Sequence, residues 1–300
     1  DARCDVHFAP GTTAPDALRP RVVMCRNMLP FEEPERARYG LTATRARLEV
    51  LLRAQSHAMA TADGVIFLTQ HARDAVLARL SERPAAVATI PHGVNPRFLH
   101  APRPQRALEA CTPEAPFRWV YVSTVTRYKH QAKVVAALRA LRAEGIPVAL
   151  ELVGLAEDAR STKELHDAMR AYDRDGEWVT WRGHVPFEEL PAVYASADAA
   201  IYASSCENMP NILLECMASG LPVACSDRGP MPEVIADAAV YFDPEDVRDA
   251  ARAARTLARA PELRARLAER AWRRAQRFSW SRCANETFDF LRAVATQPSA

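Results

Sequence analysis

Between residues 119 and 242, short apolar runs alternate with helical stretches, and this regular alternation restricts the fold more than any other feature. An apolar run bounded by turn residues reads as a buried strand. Strands separated by helices belong to a parallel sheet, because parallel neighbours need a crossover between them. The predicted strands are WVYVST (119–124), VALELVG (148–154), VTWRG (179–183), AAIYAS (199–204), PVACS (222–226) and AVYF (239–242). Helices are predicted at 134–145, 161–172, within 187–198 and at 210–220, the last opened by Pro210 and closed by Gly220. Two Arg-rich helices near 245–260 and 262–277 follow, and a final helix starts at about Ser281.

The first hundred residues show the same alternation. Strands are predicted at Asp5–Ala9, Arg21–Cys25, 64–68 and 86–91, with a loop through Pro30 and Pro34 and helices at Arg45–Thr61 and Gln70–Leu80. HGVN (92–95) ends this part in a turn. Residues 101–117 hold four prolines and read as a connection. The predicted organisation is a partial N-terminal domain (1–104), a linker (105–116), a complete second domain (117–280) and a C-terminal helix (281–300) that crosses back to the first. In open parallel sheets, ligands bind at the carboxyl ends of the strands, so the chemistry belongs in the strand-to-helix loops.

Composition narrows the classes. A net charge of +2 gives no support to nucleic-acid binding. Of 39 basic residues only Lys129, Lys133 and Lys163 are lysines, so a single Arg carries little information here. The seven cysteines are scattered without metal-binding spacing, as expected of reduced thiols in a cytoplasmic protein. No apolar run reaches the ~20 residues of a membrane helix.

The loop-and-helix segment SSCENMPNILLECMASGLP (204–222) carries the most chemistry. Glu207 lies in the loop, Pro210 opens the helix and Glu215 lies within it. Five helical residues advance ~7.5 Å, so the two carboxylates can grip different parts of one extended polar ligand. The amides of Asn208, Met209, Asn211 and Ile212 lie between them at the helix start, where anions bind. A second loop, YVSTVTRYKHQ (121–131), places Lys129 after the first strand of the second domain.

On these residues the chain resembles the family 4 glycosyltransferases of the GT-B fold. That resemblance implies two Rossmann-like, doubly wound α/β domains facing a cleft, the first of them incomplete here. It implies a retaining transfer of sugar from a nucleotide-sugar donor to a glycan or lipid-linked acceptor, with no metal or other cofactor. By the same resemblance Glu207 faces the transferred sugar, Glu215 the ribose hydroxyls, and Lys129 the donor diphosphate. The family usually shows Gly-Arg a few residues before a Lys-Gly pair. Ser123 and Thr124 stand in the first two places here, and Arg127, two residues before Lys129, is the alternative cation. Gly183-His184-Val185 matches a turn near the base. Arg26 and Asn27 stand where many members have a His near the reacting centre, and are candidates for acceptor or phosphate.

The resemblance also implies a first strand and glycine-rich loop ahead of Asp1. An N-terminal segment is therefore expected to be missing, leaving a chain that binds nucleotide through its second domain but transfers sugar poorly. Bacterial envelope polysaccharide synthesis at the inner face of the membrane is the family-level setting. Arg266, Arg270, Arg273 and Arg277 line one helical face suited to peripheral contact with anionic lipid. Glu262 and Glu269, four residues before Arg266 and Arg273, favour a solvated, salt-bridged face instead. Asp173-Arg174-Asp175 forms a D-x-D, but away from the predicted strand ends. A glycoside hydrolase using both glutamates and a non-catalytic nucleotide-sugar-binding protein are the rival readings.

Overall fold

Threonines start two of the early helices. In the computed structural model, which describes residues 4–13, 15, 17 and 19–296, Thr42 Oγ1 accepts from Arg45 N ahead of the helix Ala43–Ala60, and Thr69 Oγ1 accepts from Ala72 N ahead of Gln70–Leu77. The chain divides into two units. The first takes the residues up to Gly93, the short segment Cys206–Met209 and the residues from Phe278 on; the second takes Val94–Ser205 and Pro210–Arg277.

The first unit contains a four-stranded parallel sheet in simple order: β1 (His7–Ala9), β2 (Arg21–Met24), β3 (Gly64–Phe67) and β4 (Ala86–Thr89). β2 and β3 are buried along their whole length, as continuous apolar runs in a covered parallel sheet should be. Its helices are α1 (Glu33–Ala37), α2 (Ala43–Ala60) and α3 (Gln70–Leu77), with a further C-terminal helix. α1 falls where the sequence predicts loop. Pro34 sits in its first turn, where a missing N–H breaks no intrahelical bond. The C-terminal helix Trp280–Ala295 packs in this unit, and Gly93 permits its close approach: a Cβ there would lie 2.1 Å from Trp280 N.

The second unit begins at Val94, ahead of the boundary at 104 read from the sequence. The proline-rich stretch is packed rather than loose. His100 N donates to Ala218 O at 3.0 Å, and Arg106 pairs with Asp198 at 2.9 Å. Arg264 is fully buried beneath the stretch; it bonds the carbonyls of Leu257, Ala258 and Arg106 and lies over the Phe117 ring.

Six strands follow in this unit: β5 (Phe117–Val122), β6 (Val148–Val153), β7 (Val179–Trp181), β8 (Ala199–Tyr202), β9 (Val223–Ser226) and β10 (Ala239–Phe242). All pair in parallel, in the order β10-β9-β8-β5-β6-β7. The helices between them are α4 (Gln131–Ala143), α5 (Ala159–Tyr172), α6 (Leu190–Ser196), α7 (Asn211–Ala218) and α8 (Met231–Ile235). α9 (Val247–Arg259) and α10 (Pro261–Ala275) complete the unit, and the C-terminal helix of the first unit is α11. The winding reverses between β5 and β8, since β5 leads outward to β6 on one side and β8 to β9 on the other. At such a switch point the two outgoing loops diverge and leave a crevice at the strand ends.

Candidate functional site

The two loops that leave the switch point are those the sequence singles out. β5 runs into residues 123–130, which carry Lys129, and β8 runs into 203–210, which carry Glu207. Ser205 ties them together. Its amide donates to Tyr128 O at 2.8 Å and its hydroxyl lies 2.9 Å from His130 Nε2. His130 is buried and adopts φ +53°, the left-handed region, just ahead of α4. The bond to Ser205 and burial of the ring hold a conformation that a non-glycine residue seldom takes.

Lys129 is buried beside these contacts. Its Nζ lies 5.4 Å from the Tyr128 ring centre and 5.5 Å from that of Tyr202, the last residue of β8. Its carbonyl accepts from Tyr121 OH at 2.7 Å, which fixes the backbone below the ammonium. Ser123 and Thr124 shape the same loop through main-chain contacts. Ser123 N donates to Val153 O, and Thr124 O accepts from Gln131 Nε2 at 2.8 Å. Arg127 turns aside from this loop: its Nε bonds Asp158 Oδ2 at 3.1 Å. Asp158 also caps α5 through the Ser161 amide. Burial works to raise the Asp158 carboxyl, but the Ser161 amide and hydroxyl and Arg127 outweigh it and hold the group below its ordinary value.

Neighbouring strand ends are stitched in sequence. Gly154, after β6, has φ +143°, and a Cβ there would lie 2.0 Å from Ser123 O, so only glycine fits. Gly154 N donates to Gly183 O at 2.7 Å, and Gly154 O accepts from Trp181 Nε1 at 2.9 Å. The His184 side chain is exposed in the turn beyond Gly183, and Val185 is buried behind it.

Glu215 sits in the second turn of α7. Tyr194 OH, on α6, donates to its Oε2 at 2.9 Å. Burial lifts the Glu215 carboxyl from 4.5 to about 7, a rise that the Tyr194 bond moderates. The start of α7 has no side-chain cap: Pro210 precedes it, Asn211 is exposed and Ile212 half-buried. The first amides of a helix have no intrahelical acceptor, so this end suits an anion.

Glu207, half-buried, together with Asn208 and Met209, belongs to the first unit. The Asn208 side chain is committed to protein: its Nδ2 donates to Cys25 O at 3.0 Å. Arg26 and Asn27 follow β2 in that unit. Asn27 Oδ1 accepts from Leu29 N at 3.1 Å, a local turn. Arg26 borders a groove of about 410 Å³ lined mainly by Met24, Trp280, Phe288 and Leu291.

Other sequence features have structural explanations. The Asp173 carboxylate accepts from the amides of Glu177, Trp178 and Val179 and so shapes the turn into β7. Among the described residues no group of three His, Cys, Asp or Glu is placed to hold a metal. On the Arg-rich face, Arg270 pairs with Asp237 and Arg273 with Glu269. No helix among the described residues is long and apolar enough to cross a membrane. Tyr194, His130 and Asp158 are the site partners that sequence reasoning missed. The Lys129-His130 pair, with His in a glycine place, was the one signal available.

The chain belongs to the family described as Glycosyl transferases group 1, which residues 111–274 match. It is similar to the O-antigen chain mannosyltransferase B of Escherichia coli, 35% identical over 125 residues, which are 39% of this chain and 30% of that enzyme. It is also similar to the MMP alpha-(1->4)-mannosyltransferase of Mycolicibacterium hassiacum, 29% identical over 220 residues, which are 71% of this chain and 49% of the relative. The chain thus spans less than half the length of either curated relative. Among solved structures, the sucrose-phosphate synthase of Thermosynechococcus elongatus superposes with a TM-score of 0.73 at 22% identity, over 92% of this chain and 68% of that one. The Anabaena protein HepE, in complex with UDP-glucose, gives 0.73 at 20% identity over 92% and 72%. These likenesses establish the GT-B fold of two Rossmann-like units.

Proposed function

We propose that this protein transfers a sugar, with retention of configuration, from a nucleotide-sugar donor to a hydroxyl of a glycan or lipid-linked acceptor. The observation that carries the reading is the buried Lys129 on the loop leaving the β5–β8 switch point, tied through His130 to the loop leaving β8. A cation in a poorly hydrated setting stabilises negative charge developing on a departing diphosphate more than an exposed one does. In this reading Lys129 steadies the leaving group, with Arg127, anchored by Asp158, adding positive potential. Glu215 accepts hydrogen bonds from the ribose hydroxyls. Glu207 and the amides of Asn208, Met209, Asn211 and Ile212 orient the sugar, the backbone from Ser123 to Thr124 and at His184-Val185 flanks the nucleotide, and Arg26 and Asn27 serve the acceptor.

UDP-glucose in the HepE structure and the O-antigen activity named for the Escherichia coli relative support a nucleoside-diphosphate sugar and an envelope glycan. The reading requires no metal, and a setting at the cytoplasmic face of the membrane accords with seven free cysteines. A thermal-shift screen of UDP, GDP, ADP and their sugars tests it. One nucleotide series should raise the melting temperature, the sugar-bearing form included. No shift with any member, at millimolar ligand, would contradict the donor site.

A further inference from the structure

Cys206–Met209 is a four-residue excursion between β8 and α7 that packs within the first unit. Cys206, Asn208 and Met209 are buried there, and Glu207 alone of the four is half-buried. Asn208 makes polar contacts that hold the excursion. Its Nδ2 donates to the carbonyl of Cys25 at 3.0 Å and reaches Cys25 Sγ at 3.6 Å, just past the end of β2. Its own carbonyl accepts from Thr69 Oγ1 at 3.1 Å, the hydroxyl that also caps α3. Both the side chain and the main chain of Asn208 are thus bound to the carboxyl ends of two adjacent strands, because Cys25 N in turn donates to Ile66 O of β3.

One detail shows that this position is held at some expense. Asn208 Oδ1 is buried without a hydrogen-bond partner, an unfavourable state that folded proteins seldom keep. Burial also pushes the Cys25 thiol up to about 12, so it remains a neutral neighbour to the amide rather than a competing charge. Loops without such ties retain backbone freedom, and a carboxylate on a free loop samples many directions.

We infer that Asn208 is a positioning residue that fixes the peptide on the far side of Glu207, so that the Glu207 carboxylate meets the transferred sugar in one orientation. This rests on the proposed role of Glu207. The Asn208 side chain, whose main-chain amide both substitutions retain, acts on sugar transfer through Glu207, and not on nucleotide affinity, which the reading assigns to Lys129, Glu215 and the backbone at Ser123-Thr124 and His184-Val185.

A double-mutant cycle on the enzyme separates the possibilities. Asn208→Ala removes the tie. Asn208→Asp keeps its shape but sets a carboxylate against the Cys25 carbonyl. Each should lower kcat ~10- to 100-fold while the Kd for the nucleoside diphosphate stays within twofold, which also verifies that the variant is folded. In a Glu207→Ala background, adding Asn208→Ala should lower kcat no further. Losses that multiply, or a nucleotide Kd that weakens in step with kcat, would overturn the inference. A crippled Glu207→Ala beside an Asn208→Ala of full activity would overturn this inference alone. Undiminished transfer by Glu207→Ala would overturn the site reading together with it.

Discussion

Replacing Glu215 by Gln should stabilise the free protein and weaken its grip on nucleotide. The carboxyl is raised from 4.5 to about 7, so the folded state binds its proton more tightly than the unfolded chain does. The associated stability is fully present below 4.5 and is lost as pH rises to about 7. Above that, the native state carries a poorly hydrated carboxylate at a penalty of about 3 kcal/mol, taking 1.36 kcal/mol per unit. Gln keeps the acceptor for Tyr194 OH and removes the charge. Urea unfolding of the second unit should therefore show Glu215→Gln more stable by up to about 3 kcal/mol at pH 8, and by about 1 kcal/mol or less at pH 5. Nucleoside diphosphate affinity should move the opposite way. Loss of a charged acceptor for ribose hydroxyls costs about 1.5–3 kcal/mol, a roughly ten- to hundredfold weaker Kd at pH 8. Wild-type affinity should strengthen as pH rises through 7 and that dependence should vanish in the variant. A variant no more stable at pH 8 than the wild type, or with unchanged affinity, would refute the reasoning.

Two further outcomes follow from the same site. Lys129→Met keeps an aliphatic stem between the Tyr128 and Tyr202 rings but removes the charge, so kcat should fall ~100-fold or more with the melting temperature changed by only a few degrees; wild-type turnover would remove Lys129 from the phosphate role. Transfer by EDTA-treated enzyme should match that of untreated enzyme, and activity lost to EDTA and restored by Mg²⁺ or Mn²⁺ would count against a reaction that relies on Lys129 for charge.

The alternation of the second unit was legible because its strands are short, largely apolar runs separated by helical stretches, with β8 and β9 buried throughout, and the six strands formed where those runs lie. α1 was hidden because Pro34 reads as a breaker, although proline is tolerated in a first turn. Arg264 was hidden by its own abundance. In a chain with 36 arginines among its 39 basic residues, nothing in the sequence marks Arg264, or Arg21, as fully buried. Lys129 and Glu215 stood out through local spacing, but their partners are long-range. Tyr194 lies 21 residues before Glu215, and Asp158 lies 31 after Arg127. The attachment of Asn208 to Cys25, 183 residues away, depends on tertiary packing that no local pattern records.

Glycosyl transfer itself is the central claim, and the stereochemistry of the product tests it most directly. UDP- and GDP-linked α-sugars would be incubated with the enzyme and a glycan acceptor, and the product examined by NMR alongside the nucleoside diphosphate released. The account predicts one new α-glycosidic bond for each nucleoside diphosphate formed, from one of these donors. A β-linked product, or no glycoside with any donor that the protein binds, would contradict it.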